Sequence, residues 1–550
     1  MTRKRLAGAA LFLLLFSAWM IPGLVGRDPW KADEAYSFGL VLNILETGDC
    51  VVPTLGGEPF MEKPPIFYLT ASVFARLLSP PLELHEAARA ACMFYVAATL
   101  LCLGLSSREI NGPGTGWLAA VLLLGSEGLL HTAHMLITDL SLLAGYALAL
   151  YGLCLSRRKP CLAGVLCGTG SGLAFLSKGL IGPGFVGVTI LCLPALFRSW
   201  RSRSYLAFLG FCLLAALPWV TIWPTALYLR SPQLFNDWLW DNNFGRFLGT
   251  SGLGPRKDPL HFLGVLPYFA WPVLPLALWT LYRERRSAVR DPNVQLPLLA
   301  ALVILGLLSL SGEGRELYAT PILAPLALLA TRAVIAFSPR FVRVTNTGLF
   351  ALFTLLALVA WLGWLAQFSG HPGFVLERIR ATVPGFMPHF GGFACATALV
   401  ATFAWVWLIF QHRPKAQAVP VHWTAGVALL YLLGMTLWLP ATNSNMTYRH
   451  DFAGLRDVLG YNPGVVASTG LGEPQRAMLH YYAGLKTFRE KSREPVDCDW
   501  KLVQSDSRER NPRQPPGPGW RMAWEGRHHR ELFRLYRRAP TAPEQARQDP

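Results

Sequence analysis

Two acidic residues stand side by side, as Asp33-Glu34, just outside an apolar opening segment. A carboxylate pair where a membrane meets water is expensive to hold, so it marks a functional site by default. About thirty residues on, Phe60-Met61-Glu62-Lys63-Pro64-Pro65 puts a carboxylate and an ammonium into one loop. Together the two groups suggest a catalytic loop that handles a charged, lipid-borne substrate.

The elements that must position such a loop follow from composition. Of 550 residues 52% are hydrophobic and 15% charged, with a mean hydropathy of +0.34, values that no ordinary soluble domain of this size needs. The chain reads as an integral membrane protein. Its net charge of +17 does not indicate nucleic acid, because the basic residues lie in short clusters between apolar runs and in the last hundred residues.

A spanning helix needs ~20 mostly apolar residues to cross ~30 Å of hydrocarbon. Thirteen segments meet that test: 6–26, 87–106, 115–132, 134–154, 161–177, 179–197, 204–224, 260–282, 295–311, 317–338, 345–368, 390–411 and 422–440. With Arg3, Lys4 and Arg5 in the cytoplasm, alternation puts every strongly basic short loop on that same side, from Arg157-Arg158-Lys159 to Arg413 and Lys415. An odd count leaves everything after Pro440 outside. The first helix reads as an uncleaved signal-anchor, since no small-x-small cleavage site precedes Asp33.

The expected architecture is therefore mainly α: a polytopic bundle of about thirteen helices over residues 1–440, with an external catalytic loop 27–86, and an external α/β domain over 441–550. In the tail Val465 to Thr469, Leu502-Val503, Trp520 to Trp524 and Leu532 to Tyr536 read as strands, and Pro474 to Gly484 as a helix. Residues 505–519 read as a loop and the last dozen as disordered. Eight of ten cysteines fall in predicted helices as small hydrophobes. Only Cys50 and Cys498 are expected in external water, and two cysteines leave their pairing open.

Other polar groups recur near the external side. Asp139 follows His131, His134 and Thr138, and a buried acid in a bundle usually faces a partner or a water-filled cavity. Lys178 sits between two apolar spans. Asn236-Asp237-Trp238-Leu239-Trp240-Asp241-Asn242-Asn243-Phe244-Gly245-Arg246-Phe247 combines amides, carboxylates and rings in a form that suits sugar binding, though an interfacial aromatic belt explains the tryptophans almost as well. His131 and His134 could form a metal pair, but two such histidines are more often interfacial hydrogen-bonders. No cofactor is indicated, a divalent metal stays open, and without a phosphate-binding glycine loop ATP is not expected as the direct energy source.

The order of these motifs resembles that of the membrane glycosyltransferases of the C superfamily that use polyprenyl-phosphate sugars, especially the bacterial 4-amino-4-deoxy-L-arabinose lipid A transferases and their protein O-mannosyltransferase relatives. The resemblance rests on Asp33-Glu34, Gly48-Asp49 to Pro53, Glu62-Lys63-Pro64, Thr138-Asp139, Lys178-Gly179 and the thirteen helices before an external domain.

That resemblance implies transfer of a sugar, with inversion, from a polyprenyl-phosphate donor to lipid A or another envelope lipid, glycan or protein, by a multi-pass protein of the inner membrane. It implies Asp33 as the catalytic carboxylate beside Glu34, with Lys63, Arg315 and Tyr318 on the donor phosphate. Glu62, Asp139, Lys178, Asn243 and Arg246 are carried as substrate contacts or structural support. The chain departs from the pattern at Tyr36, where relatives often have arginine, at Asn243, where some have histidine, and at Ser311 to Tyr318, where relatives are Lys-rich. A helix-terminating role for Asp33 and a snorkelling role for Lys63 are the plainer alternatives. The competing class is a transporter or flippase of lipid-linked sugars, which predicts charge pairs deep in several helices and broken helices in corresponding halves.

Overall fold

The computed structural model describes residues 3–252, 257–285, 290–383, 386–411, 415–460, 465–490, 498–506, 516–517, 519–528 and 530–539. Residues 540–550, expected as part of a disordered end, and most of the expected loop 505–519 lie outside the described residues. The chain divides into two compact units, Met1–Arg27 with Met61–Asn445, and Asp28–Phe60 with Met446–Pro550. The stretch 28–60 of the expected catalytic loop thus groups with the tail.

The first unit is helical. Among the described residues eight helices are long and apolar enough to cross a membrane, or ten if two sharply bent pairs each count as one. These ten, with the shorter apolar helices Gly8–Met20, Asp139–Leu155 and Ile181–Leu196, coincide with the thirteen segments expected from hydropathy. Two of those segments are not single straight helices. Gly116–Leu124 turns by 72° into Glu127–Ala133, and His261–Phe269 by 100° into Val273–Arg283. The breaks are tied to their surroundings. The Glu127 amide donates to the Trp271 carbonyl at 3.0 Å, and Trp423 Nε1 donates to the Gly125 carbonyl at 2.7 Å, so backbone groups freed by the bends find partners, as hydrocarbon surroundings require.

Close packing fixes the helices that carry polar groups. Asp139–Leu155 and Pro160–Lys178 approach so closely at Gly145 that a Cβ there would stand 2.7 Å from the Gly170 carbonyl oxygen. Small residues permit this contact, which is the usual adhesive between helices in lipid. The exit of the first helix is held by buried guanidinium groups: Arg89 donates to the Leu24 and Arg27 carbonyls at 3.2 and 2.6 Å, and Arg27 to Gly23 and His134 at 2.9 and 2.6 Å.

The second unit joins a helix, a hairpin and a mixed sheet. Strands β1 (Thr54–Leu55) and β2 (Glu58–Pro59) pair antiparallel around Gly56-Gly57, whose φ values of 56° and 90° are those a tight hairpin demands and side chains resist. The tail supplies β3 (Val466–Thr469), β4 (Thr487–Arg489), β5 (Trp500–Asp506), β6 (Trp520–His528) and β7 (Glu531–Arg538) in the order β4-β3-β5-β7-β6. β3 runs parallel to β4 and β5, and the remaining pairs are antiparallel. Helix Glu473–Ala483 connects β3 to β4. The expected α/β character holds, and β4 and the hairpin are additions too short to show a period in sequence.

Helix Asp33–Thr47 packs on Glu473–Ala483, with Phe38 edge-on to Tyr481 at 4.8 Å. Arg476, buried, bridges hairpin and sheet by donating to Glu58 at 2.9 Å, the Gly56 carbonyl at 3.0 Å and the Thr487 carbonyl at 2.9 Å. Cys50 and Cys498 are free thiols.

Candidate active site

The first unit contains a cavity of about 290 Å³ whose wall divides by chemistry. One part is polar, with Glu62, Lys63, Lys178, Asn243, Arg246 and Tyr318. The rest is apolar, with Leu142, Leu180, Ile181, Phe185, Leu307 and Leu308. Six residues singled out in the sequence, from four separate stretches of chain, therefore meet in one place.

Glu62 and Lys63 leave their loop immediately before Pro64-Pro65 and helix Ile66–Leu78. Prolines at that point suit a helix start, because their missing amide hydrogens would be unpaired there anyway. Glu62 accepts from Arg246 Nη1 at 2.7 Å and lies 3.8 Å from Lys63 Nζ. Burial works to raise its pKa, but Lys63, Arg246 and Arg315 outweigh it and hold the carboxyl below its ordinary value. Burial likewise opposes the charge on Arg246, and Glu62, with Tyr318 and Glu313, more than offsets it, with the result that its pKa is raised. Three cations thus act on one carboxylate, an arrangement with net positive charge beside an apolar wall. Such a place suits an anion attached to a hydrocarbon.

Lys178 and Asp139 form a pair of their own. Nζ lies 2.5 Å from Oδ1, and both side chains are buried. Asp139 occupies the first turn of its helix, where the helix dipole favours a negative charge. The Lys178 ammonium also lies 3.8 Å from the centre of the Tyr318 ring, a cation–π contact. The pair fixes the phenol's position in the cavity wall.

Asn243 is committed to the backbone. Its Oδ1 accepts from the Leu180 amide at 2.9 Å and its Nδ2 donates to the Trp238 carbonyl at 2.7 Å. It lies in a π-helical stretch, Asp237–Gly245, a wide coil often found at functional sites. Gly179 has φ of 70°, and a Cβ there would collide with the Asn243 amide. The asparagine therefore braces this wall.

Asp33 and Glu34 belong to the second unit. Both lie in the first turn of helix Asp33–Thr47. Glu34 is buried and its Oε2 accepts from the Trp30 amide at 3.1 Å, which ties the helix to the preceding turn. Asp33 is partly exposed. Arg315 is exposed and reaches the site through its charge on Glu62. Tyr36 packs its ring on Phe60 at 5.5 Å. His134 Nε2 lies 3.0 Å from the Trp19 carbonyl, between the rings of Trp19 and Tyr431 at 5.0 and 4.2 Å, and so is part of the packing. Among the described residues no group of three or more His, Cys, Asp or Glu side chains converges as metal ligands would.

Glu313 was missed as a site residue. It lines the cavity and is buried. Its only signal was a carboxylate between two glycines, in Ser311-Gly312-Glu313-Gly314.

No family model matches the chain. Its fold is shared with the crystal structure of ArnT from Cupriavidus metallidurans bound to undecaprenyl phosphate, on which it superposes over 96% of this chain and 98% of the other with a TM-score of 0.67 at 17% identity. In sequence it is similar to the undecaprenyl phosphate-alpha-4-amino-4-deoxy-L-arabinose arabinosyl transferase of Pseudomonas aeruginosa (strain UCBPP-PA14), at 28% identity over 339 residues, 59% of either chain. The enzyme of the same name from Serratia proteamaculans (strain 568) is 27% identical over 365 residues, 64% of either chain. These matches span about three fifths of the curated relatives' length. The resemblance drawn from the motifs is thereby borne out, as is a multi-pass membrane protein.

Proposed function

We propose that the chain is an integral membrane glycosyltransferase that moves a sugar from a polyprenyl-phosphate donor to an acceptor outside the cytoplasm, lipid A or another envelope lipid or glycan. The observation that carries this reading is the two-part cavity. Lys63, Arg246 and Tyr318 would hold the donor phosphate, and the apolar wall would hold the start of the lipid chain. The relatives' printed activity is of the same class.

In this reading an acceptor oxygen forms a bond to the anomeric carbon while the bond from that carbon to the phosphate oxygen breaks, its electron pair leaving on the polyprenyl phosphate. Asp33 would take the proton of an acceptor hydroxyl. Lys63, Arg246 and Tyr318 would stabilise the charge that grows on the leaving phosphate. Attack from the face opposite the phosphate inverts the sugar. The domain assignment, 1–440 and 441–550 with loop 27–86 catalytic, and the orientation, N-terminus cytoplasmic and tail external, are part of the same proposal.

A second reading, flipping of a lipid-linked sugar, draws on the two bent helix pairs, since broken helices are a transporter device. Purified protein in liposomes separates the two. A transferase yields glycosylated lipid A or other acceptor from donor, detectable by mass spectrometry, whereas a flippase moves donor between leaflets and forms no product. Absence of transfer to every envelope acceptor offered, together with movement of donor, would overturn the first reading.

A further inference from the structure

A second cavity, of about 380 Å³, lies between the first helix, Arg3–Met20, and helices Leu84–Ile110 and Gly116–Leu124. Phe12, Phe16, Leu101 and Trp117 are in its wall, and Arg108 is its one charged side chain among the described residues. Its floor is backbone. A Cβ on Gly116 would stand 2.5 Å from the Gly104 carbonyl oxygen and 3.0 Å from Arg108 Cγ, so two helices touch without side chains between them and the methylene stem of Arg108 lies over the contact. Leu101 and Leu13 on the rim are exposed, so the groove opens to the surroundings of the bundle. Among acyl chains, an empty groove forfeits contacts that a chain lying in it would make.

Arg108 is exposed, in the last turn of its helix, and has no acidic partner among the described residues; the adjacent Glu109 is taken by Arg158 at 2.8 Å. That ion pair also locates the groove. Helix Pro160–Lys178 starts beside Arg158, and its 19 residues carry the chain ~28 Å to Lys178, in the wall of the cavity with Lys63 and Arg246. The charged end of the groove and that cavity are therefore at opposite ends of the bundle. A ligand with its head at Arg108 belongs to the other leaflet.

We propose that the groove holds an acyl chain of an anionic phospholipid whose phosphate pairs with Arg108, in the leaflet remote from Lys63 and Arg246. Charge complementarity selects the head group, because a guanidinium can bind a phosphate by two parallel N–H bonds. Trp117, beside Gly116, supplies a ring of the kind that settles at head-group depth. The site holds whether the chain transfers or flips a sugar.

The test uses the purified, delipidated full chain in detergent and native mass spectrometry with dioleoyl phosphatidylglycerol and dioleoyl phosphatidylethanolamine at equal concentration. Wild type should retain one phosphatidylglycerol in preference to phosphatidylethanolamine. Arg108→Gln should cut that preference about fivefold, the weight of one basic side chain at a membrane surface, and Arg108→Lys, which keeps the charge, should preserve most of it. Ala97 is exposed in the groove wall, so Ala97→Trp should fill the groove and lose bound lipid of both kinds. An arginine that merely snorkels among head groups would not respond to Ala97→Trp, so wild-type retention by that variant overturns the proposal.

Full preference in Arg108→Gln overturns it as well. Excess undecaprenyl phosphate should leave the phosphatidylglycerol in place, and its displacement would assign the groove to the polyprenyl lipid instead. Binding of undecaprenyl phosphate should be unchanged in Arg108→Gln and Ala97→Trp. Its loss together with the phospholipid would make these residues part of the framework and would equally overturn the site.

Discussion

Lys178 and Asp139 meet at 2.5 Å between two helices that pack through glycines, and the face of the Tyr318 ring lies 3.8 Å from the same ammonium. Both charges are buried, so their mutual attraction is little screened, and each depends on the other to tolerate burial. Asp139→Asn strands the ammonium against the ring. It should cost about 3–5 kcal/mol, the usual result of removing one partner of a buried pair, read as a lowered Tm in detergent. Asp139→Asn with Lys178→Met should recover much of that loss, and a double variant no more stable than Asp139→Asn alone would show that the pair is not coupled.

Lys63 Nζ lies 3.8 Å from Glu62 Oε1 in the polar part of the cavity wall. Lys63→Ala should weaken undecaprenyl phosphate binding about tenfold to a hundredfold, as expected for one charge-assisted contact. The protein should still extract and run as a monodisperse species. Unchanged affinity would remove Lys63 from the phosphate site.

Glu62 has a pKa held below the ordinary 4.5. A carboxyl whose folded pKa is depressed adds stability that is complete above its unfolded value and lost as pH falls through the folded one. Glu62→Gln should therefore destabilise the protein at neutral pH and make the loss of Tm below pH 4.5 shallower than in wild type. Parallel Tm curves through that window would show that Lys63, Arg246 and Arg315 do not act on Glu62 as described.

Orientation is open to labelling. In a background without native cysteines, Thr47→Cys, at an exposed site before Gly48, should react with an impermeant thiol reagent added outside intact cells, and Ser202→Cys, exposed between basic residues, should not. Reaction of both from one face would overturn the alternation of loops. Ser37 would be a poor reporter, because it is buried.

How much of this could be read from the chain varies with the kind of signal. Hydropathy located the thirteen spanning segments, because about twenty apolar residues in a row have few alternatives in water, though not the shorter apolar helix Ile66–Leu78. It could not show the bends at Gly125 and near Trp271, which depend on partners for freed backbone groups in distant segments. Lys63, Arg246 and Tyr318 were legible as types, yet their convergence is a tertiary fact. Asn243 read as a substrate contact or a structural support, and which of the two could not be told before its amide was seen on the backbone at Leu180 and Trp238. Glu313 gave almost no signal, since a single acid between glycines is common in loops. The grouping of 28–60 with the tail escaped hydropathy too, because the contacts of Phe38 with Tyr481 and Arg476 with Glu58 join residues more than four hundred positions apart.

Asp33 and Glu34 are adjacent carboxylates with separable roles. Glu34 is buried and accepts the Trp30 amide, so Glu34→Gln, which keeps an acceptor oxygen, should act mainly on Tm. Asp33 is only partly buried at the start of its helix, and Asp33→Asn keeps its shape while removing the negative charge. If Asp33 is the base for an acceptor hydroxyl, transfer should fall by at least ~10²–10⁴-fold, the range for lost general-base assistance. Undecaprenyl phosphate should bind no more weakly, since a neutral side chain repels an anion less. Both measurements use the same purified protein, so a folding defect would appear in the binding arm. Transfer by Asp33→Asn at the wild-type rate under saturating donor would show that another group, or none, takes the proton, while the proposal that Lys63 and Arg246 hold the phosphate would stand unaffected.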